Sequence, residues 1–182
     1  MNSQIRQKYV DIAHEAFTFV EAELRGILRL PISLSDIDEA VLRETEEWRN
    51  DSRCLAAWSW RAVLHAERKR PKRVEVSFHC DGVLCGLMLA RMSKTRVSIS
   101  VRFIEANPDP AHPLAKQFMA VALIFAETFG AAIGASQVTI SKPVPELVNR
   151  YRAKGYDLDS GDRARERKGF KPRCLILIKQ LI

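Results

Sequence analysis

Among the ionisable side chains of one stretch, from Val97 to Gly130, three are candidates for acid–base or anion-binding chemistry. Glu105 carries a carboxylate that can accept a proton. His112 carries an imidazole that can bind phosphate or act as a base, and Lys116 carries an ammonium group that can contact an anion. Each also has an ordinary interpretation: a solvent-facing glutamate at a strand end, a loop histidine, and a lysine on a helix surface. The elements that position these residues therefore matter.

The stretch is predicted to fold as a strand, a turn and a helix. The odd-numbered residues from Val97 to Phe103 are apolar and alternate with polar ones, which predicts a strand with two different faces. Three prolines between Asn107 and Pro113 stop regular structure. The apolar run from Leu114 to Phe129 then predicts a largely buried helix with Gly130 as its C-cap. Because the N-terminus of a helix presents free amides, the turn before it is a candidate anion-binding site.

Length and charge limit the classes of protein to consider. The chain has 182 residues, of which 47% are hydrophobic, which predicts one globular domain or one domain with an extension. Its net charge of +7 favours an anionic partner, such as a nucleic acid or a phosphorylated cofactor. The positive charge is concentrated in residues 68–73 and 163–173, which are either solvated loops or a contact for an acidic macromolecule.

Membrane and metal sites are not expected. No apolar run approaches the ~20 residues that span a bilayer, and the polar N-terminus lacks a signal-peptide pattern, so a cytoplasmic protein is expected. The four cysteines show no CxxC spacing and are predicted to be reduced, partly buried thiols rather than metal ligands or disulfides.

The spacing of apolar residues and the positions of turn-forming residues predict a mixed α/β fold, in which antiparallel strands are combined with at least one βαβ crossover. The predicted elements outside the opening stretch are a helix at 3–24, a strand at 26–32, a helix capped by Ser33 or Ser35, a helix at 54–68, strands at 73–79 and 83–91 joined by Asp81-Gly82, a strand at 137–141, a helix at 145–154, a long charged loop before Pro172, and a C-terminal strand. Trp58 and Trp60 alternate, so one is expected in the core and the other in a groove.

Three segments, in this order, resemble the GNAT superfamily of acyl-CoA-dependent N-acyltransferases. They are Leu30–Asp36 before a helix, the hairpin Cys80–Gly86, and Val144–Tyr156, where a tyrosine is followed by three residues, a glycine and an aromatic residue. The resemblance implies a central twisted mixed sheet of six to seven strands flanked by helices, over residues 27–182. Residues 1–26 would then be an N-terminal helical extension, whose apolar face packs on its own domain or on a second copy in a homodimer.

The resemblance also implies a reaction and its residues. An acyl group would move from acetyl-CoA or a related acyl-CoA to an amine. Tyr151 matches the family's general acid, which protonates the leaving thiolate, and Glu105 would be a possible base for the amine. The residues that this comparison assigns to acyl-CoA binding are Ile104, Ala106, His112, Leu114, Ala115, Lys116 and Asn149.

One segment departs from the family pattern. Pro110 and Pro113 stand where the family has an Arg or Gln and a Gly in the turn that holds the CoA pyrophosphate, and only Ala115 fits. Two interpretations follow. Either the acyl-CoA site is remodelled and the acceptor is an amine, such as one on an acidic macromolecule contacted by Arg163–Arg173, or CoA binding is lost and the protein is a protein- or nucleic-acid-binding module.

Overall fold

The computed structural model describes residues 2–54, 56–93 and 97–181, which form a seven-stranded mixed sheet with helices on both faces. The helices are α1 (Asn2–Leu28), α2 (Glu39–Trp48), α3 (Trp60–Glu67), α4 (Phe118–Ala132), α5 (Val148–Arg152, preceded by a 3₁₀ turn at Pro145–Leu147) and α6 (Ser160–Arg167). The strands are β1 (Ile32–Ser35), β2 (Arg73–Cys80), β3 (Val83–Met92), β4 (Ser98–Ala106), β5 (Gln137–Ser141), β6 (Asp157–Leu158) and β7 (Ile176–Gln180). This architecture confirms the predicted fold class.

The strand order is β1-β2-β3-β4-β5-β7-β6. Strands β1 to β4 are antiparallel neighbours, β4 and β5 are parallel through the crossover helix α4, and β7 pairs antiparallel with both β5 and β6. The β2–β3 hairpin turns at Asp81 and Gly82, as predicted, because both residues adopt the positive φ angles (53° and 76°) that a tight two-residue hairpin requires.

Two hydrophobic cores lie on opposite faces of the sheet. The larger core packs α1 and α4 against one face, and the smaller core packs α2 and α3 against the other, around Trp60, Leu87 and Leu89. The apolar face of α1 contacts α4, β1 and β2. Of the two alternatives predicted for this apolar face, packing on its own domain is therefore the one that the structure shows. The division of the chain at residue 26 stays a prediction.

The structure corrects the boundaries of several N-terminal elements. Residues 26–28 belong to α1 rather than to a strand, and the edge strand β1 begins only at Ile32. The N-cap of α2 is Asp38, whose Oδ1 accepts the Val41 N–H at 2.9 Å, whereas Ser33 and Ser35 lie in β1. Helix α3 begins at Trp60, six residues after the predicted start at Cys54.

Helix α4 differs from its prediction at both ends. It begins at Phe118 rather than Leu114, because residues 110–117, which include Pro110 and Pro113, form turns and a bend. Gly130 is not a C-cap but a buried residue inside the helix, where an added Cβ would lie 2.9 Å from Leu181 Cδ1. Gly134, with a φ of 72°, provides the left-handed residue after the helix.

The predicted charged loop before Pro172 contains helix α6. The Asp159 side chain caps it by accepting the Asp162 N–H at 2.8 Å. The buried Asp162 carboxylate in turn accepts the N–H groups of Arg173 and Cys174, at 2.9 and 2.7 Å. These hydrogen bonds hold the backbone at Arg173 and Cys174, just before β7, against helix α6.

All four cysteines are free thiols in the structure; Cys80 and Cys85 are buried, and Cys54 and Cys174 are partly buried. No helix in the described residues is long and apolar enough to cross a membrane.

Candidate active site

The sheet opens between its two central parallel strands. Strand β4 pairs with β5 only from Ser98 to Val101, but it continues along β3 as far as Ala106. Beyond Val101 the two strands therefore separate, and a cavity of about 610 Å³ occupies the gap and its mouth. This volume is within the range typical of small-molecule sites.

A β-bulge at Arg102 marks the point of separation. Val101 pairs with Ala90 and Phe103 pairs with Leu89, so Arg102 is an extra residue without a partner on β3. Because of this extra residue, every later side chain of β4 points to the face opposite to the one that uninterrupted alternation would give it. Phe103 consequently lies in the core on the α3 side, although alternation predicted it on the same face as Ile99 and Val101.

The bulge also buries Glu105, which is not a solvent-facing residue. Its side chain accepts a hydrogen bond from Trp60 Nε1 at 2.5 Å and one from the Cys54 thiol at 2.9 Å. Burial, with the hydrogen bond to Glu105 as a second cause, raises the pKa of Cys54 to about 11, so this thiol is protonated at neutral pH. Both carboxylate oxygens are therefore oriented by donors at the cavity wall.

Most of the residues predicted from the sequence line this cavity. Those that do are Ile104, Glu105, Ala106, His112, Ala115, Lys116 and Tyr151. Leu114 does not, because it is completely buried in the larger core, and Asn149 is exposed on α5 and is not among the lining residues.

Tyr151 is the most deeply buried titratable side chain of the cavity wall, with 2% of its surface exposed. Burial raises its pKa to about 12, so the phenol carries its proton at neutral pH. Its hydroxyl makes no hydrogen bond with any described residue, in contrast to Tyr156, whose hydroxyl lies 3.1 Å from Glu127 Oε1. Tyr151 therefore has a free proton donor at the cavity.

The N-terminus of α4 faces the same cavity with unpaired donors. The backbone N–H groups of Lys116, Met119 and Ala120 have no acceptor among the described residues, and α4 has no side-chain N-cap bond. All three residues line the cavity. Unpaired amides at the N-terminus of a 15-residue helix favour an anion.

Cationic side chains line the same cavity as these amides. Lys116, Arg150 and Lys154 line the cavity and pair with no acidic group in the described part of the chain, whereas Arg53 is paired with Asp51. Arg53, Arg150 and Lys154 were not predicted as site residues. The sequence offered no signal for them beyond their charge, because Arg53 lies about 100 residues before Arg150 and Lys154 and only the fold brings the two segments together.

His112 is 5% exposed, and its buried Nδ1 has no partner among the described residues. A buried polar atom without a partner is costly unless a ligand or water supplies one. Because His112 lines the cavity, this atom is a second indication that the cavity accepts a polar molecule. His112 does lie in the loop between β4 and α4, as one interpretation predicted, but it is buried there.

The buried state of His112 gives a pH prediction. Burial lowers its pKa in the folded protein, while a histidine in the unfolded chain has a pKa of about 6.5. As the pH falls below about 6.5 the unfolded state binds the proton first, so His112 reduces stability there.

We expect His112→Gln to lessen the loss of stability between about pH 6.5 and 5, measured as the urea concentration at the unfolding midpoint. His65→Gln, on an exposed surface of α3, is the matched control. Equal slopes in wild type and His112→Gln would contradict the prediction.

No family model matches the chain, and no curated protein sequence matches it. Solved structures are similar in fold. N-acetylglutamate synthase from Neisseria gonorrhoeae, complexed with coenzyme A and N-acetyl-glutamate, has a TM-score of 0.52 at 14% identity, over 83% of this chain but only 35% of that chain. Ard1 from Thermoplasma volcanium has a TM-score of 0.58 at 9% identity over 83% of this chain and 98% of that chain.

The ribosomal-protein-S18-alanine N-acetyltransferase from Escherichia coli has a TM-score of 0.53 at 10% identity, over 82% of this chain and 94% of that chain. The chain therefore has the fold of the GNAT superfamily, as the resemblance predicted. At such low identities the likeness establishes the fold alone, and any catalytic activity depends on the residues of this chain.

Proposed function

We propose that the protein is an N-acyltransferase, most simply an acetyltransferase, that moves an acyl group from acyl-CoA to an amine. The observation that carries this proposal is the cavity at the split between β4 and β5. It combines unpaired helix amides, unpaired cations and a protonated, unpaired Tyr151. An elongated molecule with phosphates at one end and a reactive group at the other matches this distribution of donors.

The anionic end would lie at the N-terminus of α4. The amides of Lys116, Met119 and Ala120 supply hydrogen bonds, and the side chains of Lys116, Arg150 and Lys154 supply charge. Pro110 and Pro113 precede all three amides, so they remove no donor from this helix terminus. This arrangement supports a remodelled acyl-CoA site over a lost one.

The reactive end would lie between Glu105 and Tyr151. The lone pair of the amine attacks the thioester carbonyl carbon, the carbon–sulfur bond breaks, and the sulfur leaves as a thiolate. Tyr151 would give its proton to that sulfur, and Glu105 would take the proton that the amine nitrogen loses, directly or through water. Trp60 and Cys54 hold the Glu105 carboxylate in place.

Binding of acetyl-CoA is the first measurement. We expect calorimetry to detect binding and the double variant Lys116→Gln/Lys154→Gln to weaken it about 10-fold or more, because each lost contact to a phosphate is worth roughly 1 kcal/mol. Acetyl-pantetheine, which lacks the nucleotide phosphates, should bind the wild type and the double variant equally. Lys8→Gln, on an exposed surface of α1, is the control.

Absence of binding heat and of a thermal shift at millimolar acetyl-CoA would contradict the proposal and favour the binding-module alternative.

One surface supports the binding-module alternative. In the segment 163–173, Arg167, Lys168, Lys171 and Arg173 are exposed and pair with no acidic side chain among the described residues. We propose this segment as a contact for an acidic macromolecule. Its binding would weaken steeply with salt if the partner is a nucleic acid.

A further inference from the structure

A small side pocket lies beside the main cavity. It has a volume of about 30 Å³ and shares Ile104, Val144, Leu147 and Tyr151 with the main cavity. Its other polar or aromatic lining residues are Trp58, Arg102, Ser141 and Lys142. The pocket holds about one carboxylate group or one water, and it opens where β4 and β5 begin to separate.

Arg102, the bulge residue, dominates the electrostatics of this pocket. Its Nη1 donates to Ser141 Oγ across the gap at 2.9 Å, but its buried Nε has no partner among the described residues. The neighbouring guanidinium of Arg91 is paired with Glu67 at 3.3 Å. Burial and, more weakly, the charge of Arg102 lower the pKa of Arg91, against the opposing effect of Glu67. Glu67 is thus paired with Arg91, and Arg102 has no acidic partner among the described residues.

Lys142 adds a second cation at the rim. It is exposed, and its backbone adopts the left-handed region with a φ of 51° as the chain leaves β5. Its N–H donates to Leu175 O at 2.8 Å, which holds this turn. None of the described residues that line the side pocket is acidic. The pocket is therefore an unbalanced cationic site next to the proposed reaction centre.

Trp58 forms the aromatic wall of the pocket. Its ring lies edge-on to Phe103, with centroids 5.1 Å apart, and Phe103 in turn contacts the buried Trp60. Trp58 itself is only partly buried and lines the pocket, so part of its side chain is accessible to a ligand. An accessible aromatic surface suits a short hydrocarbon chain.

We propose that the acceptor is a primary amine that also carries a carboxylate. The carboxylate binds Arg102 and Lys142, the carbon chain lies against Trp58, and the amine points past Tyr151 toward Glu105. This inference rests on the proposed acyltransferase function and specifies its acceptor. Polycationic amines are disfavoured, because a second ammonium group would lie against Arg102 and Lys142.

Release of CoA thiol from acetyl-CoA tests the proposal with a panel of amines. L-Glutamate and 4-aminobutyrate carry the carboxylate, propylamine lacks it, and 1,4-diaminobutane replaces it with a second amine. A peptide with an N-terminal glutamate distinguishes a free amino acid from the end of a polypeptide. We expect the carboxylated amines to have the highest kcat/KM.

The decisive variant is Arg102→Gln. It should lower kcat/KM for the carboxylated acceptors by about 10- to 100-fold through a higher KM, because charge-assisted hydrogen bonds are lost. It should change the value for propylamine less than about 3-fold. Arg49→Gln, at an exposed arginine after α2, is the control and should leave both values unchanged.

Calorimetry of each carboxylated amine, with and without CoA, gives a readout besides turnover. Transfer to propylamine or the diamine with no preference for carboxylates, or equal loss for all acceptors in Arg102→Gln, overturns the acceptor proposal and leaves the acyltransferase proposal standing. Binding of a carboxylated amine that Arg102→Gln abolishes, without any binding of acetyl-CoA, supports the carboxylate site and overturns the acyltransferase. Binding of neither molecule overturns both.

Discussion

Tyr151→Phe is expected to lower kcat for acyl transfer by about 10²- to 10⁴-fold, the range typical of a lost general acid. The ring of Tyr151 is buried and its hydroxyl bonds to no described residue, so phenylalanine preserves the packing and removes only the proton donor. Acetyl-CoA affinity and thermal stability should change little. Steady-state kinetics, calorimetry and a thermal melt on the same preparation measure the three quantities.

Tyr156→Phe is the matched control. Tyr156 is equally buried, but its hydroxyl donates to Glu127, which also binds Lys179 Nζ at 2.8 and 2.9 Å. Removing it should reduce the free energy of unfolding by about 1–2 kcal/mol and leave kcat of the folded protein near wild type. If Tyr151→Phe retained full kcat, the general acid would have to be another group or water.

Gly86→Ala is expected to destabilise the fold by about 3 kcal/mol or more, the upper range for overpacking in a rigid core. A Cβ at this position would lie 2.2 Å from Phe118 Cζ and 2.7 Å from the Glu105 carbonyl oxygen. The backbone of β4 cannot move without disturbing its ladder with β3, and Phe118 lines the cavity at the start of α4. Urea unfolding measures the stability, and acetyl-CoA affinity should fall together with it.

Gly26→Ala tests whether this effect comes from crowding. Gly26 lies inside α1, and an added Cβ there meets no atom within 4 Å. Because alanine has a higher helix propensity than glycine, the free energy of unfolding of this variant should rise by about 0.5–1 kcal/mol. A similar loss of stability in both variants would show that space around Gly86 is not the cause.

The parts of the fold that local signals determine were predictable. The Asp81-Gly82 turn and the alternation in β2 specify the hairpin, and the β-branched run of β5 specifies its strand. Helix α6 was missed because it has no apolar stripe: Asp162 is its only buried residue. Its one sequence signal is the cap, Asp159, which a charge-based interpretation of the segment overlooks.

The site was predictable in part. An anion-binding site was expected in the turn after the opening strand, and most of the candidates between Ile104 and Lys116, though not Leu114, line the cavity together with Tyr151. The partners of Glu105 could not be predicted, because Cys54 and Trp60 are 51 and 45 residues away in the sequence. Nor could the bulge, because apolar and polar residues alternate without interruption through Arg102.

The bulge at Arg102 has a consequence for comparing this chain with other sequences. Any alignment that runs without a gap through β4, against a strand that lacks the extra residue, is offset by one position from Phe103 onward. Such an offset equates inward-facing positions with outward-facing ones, so that Glu105 would be matched to a residue on the opposite side of the sheet. The equivalents of Glu105 in distant relatives are therefore to be sought by structural superposition, with a one-residue insertion allowed at Arg102.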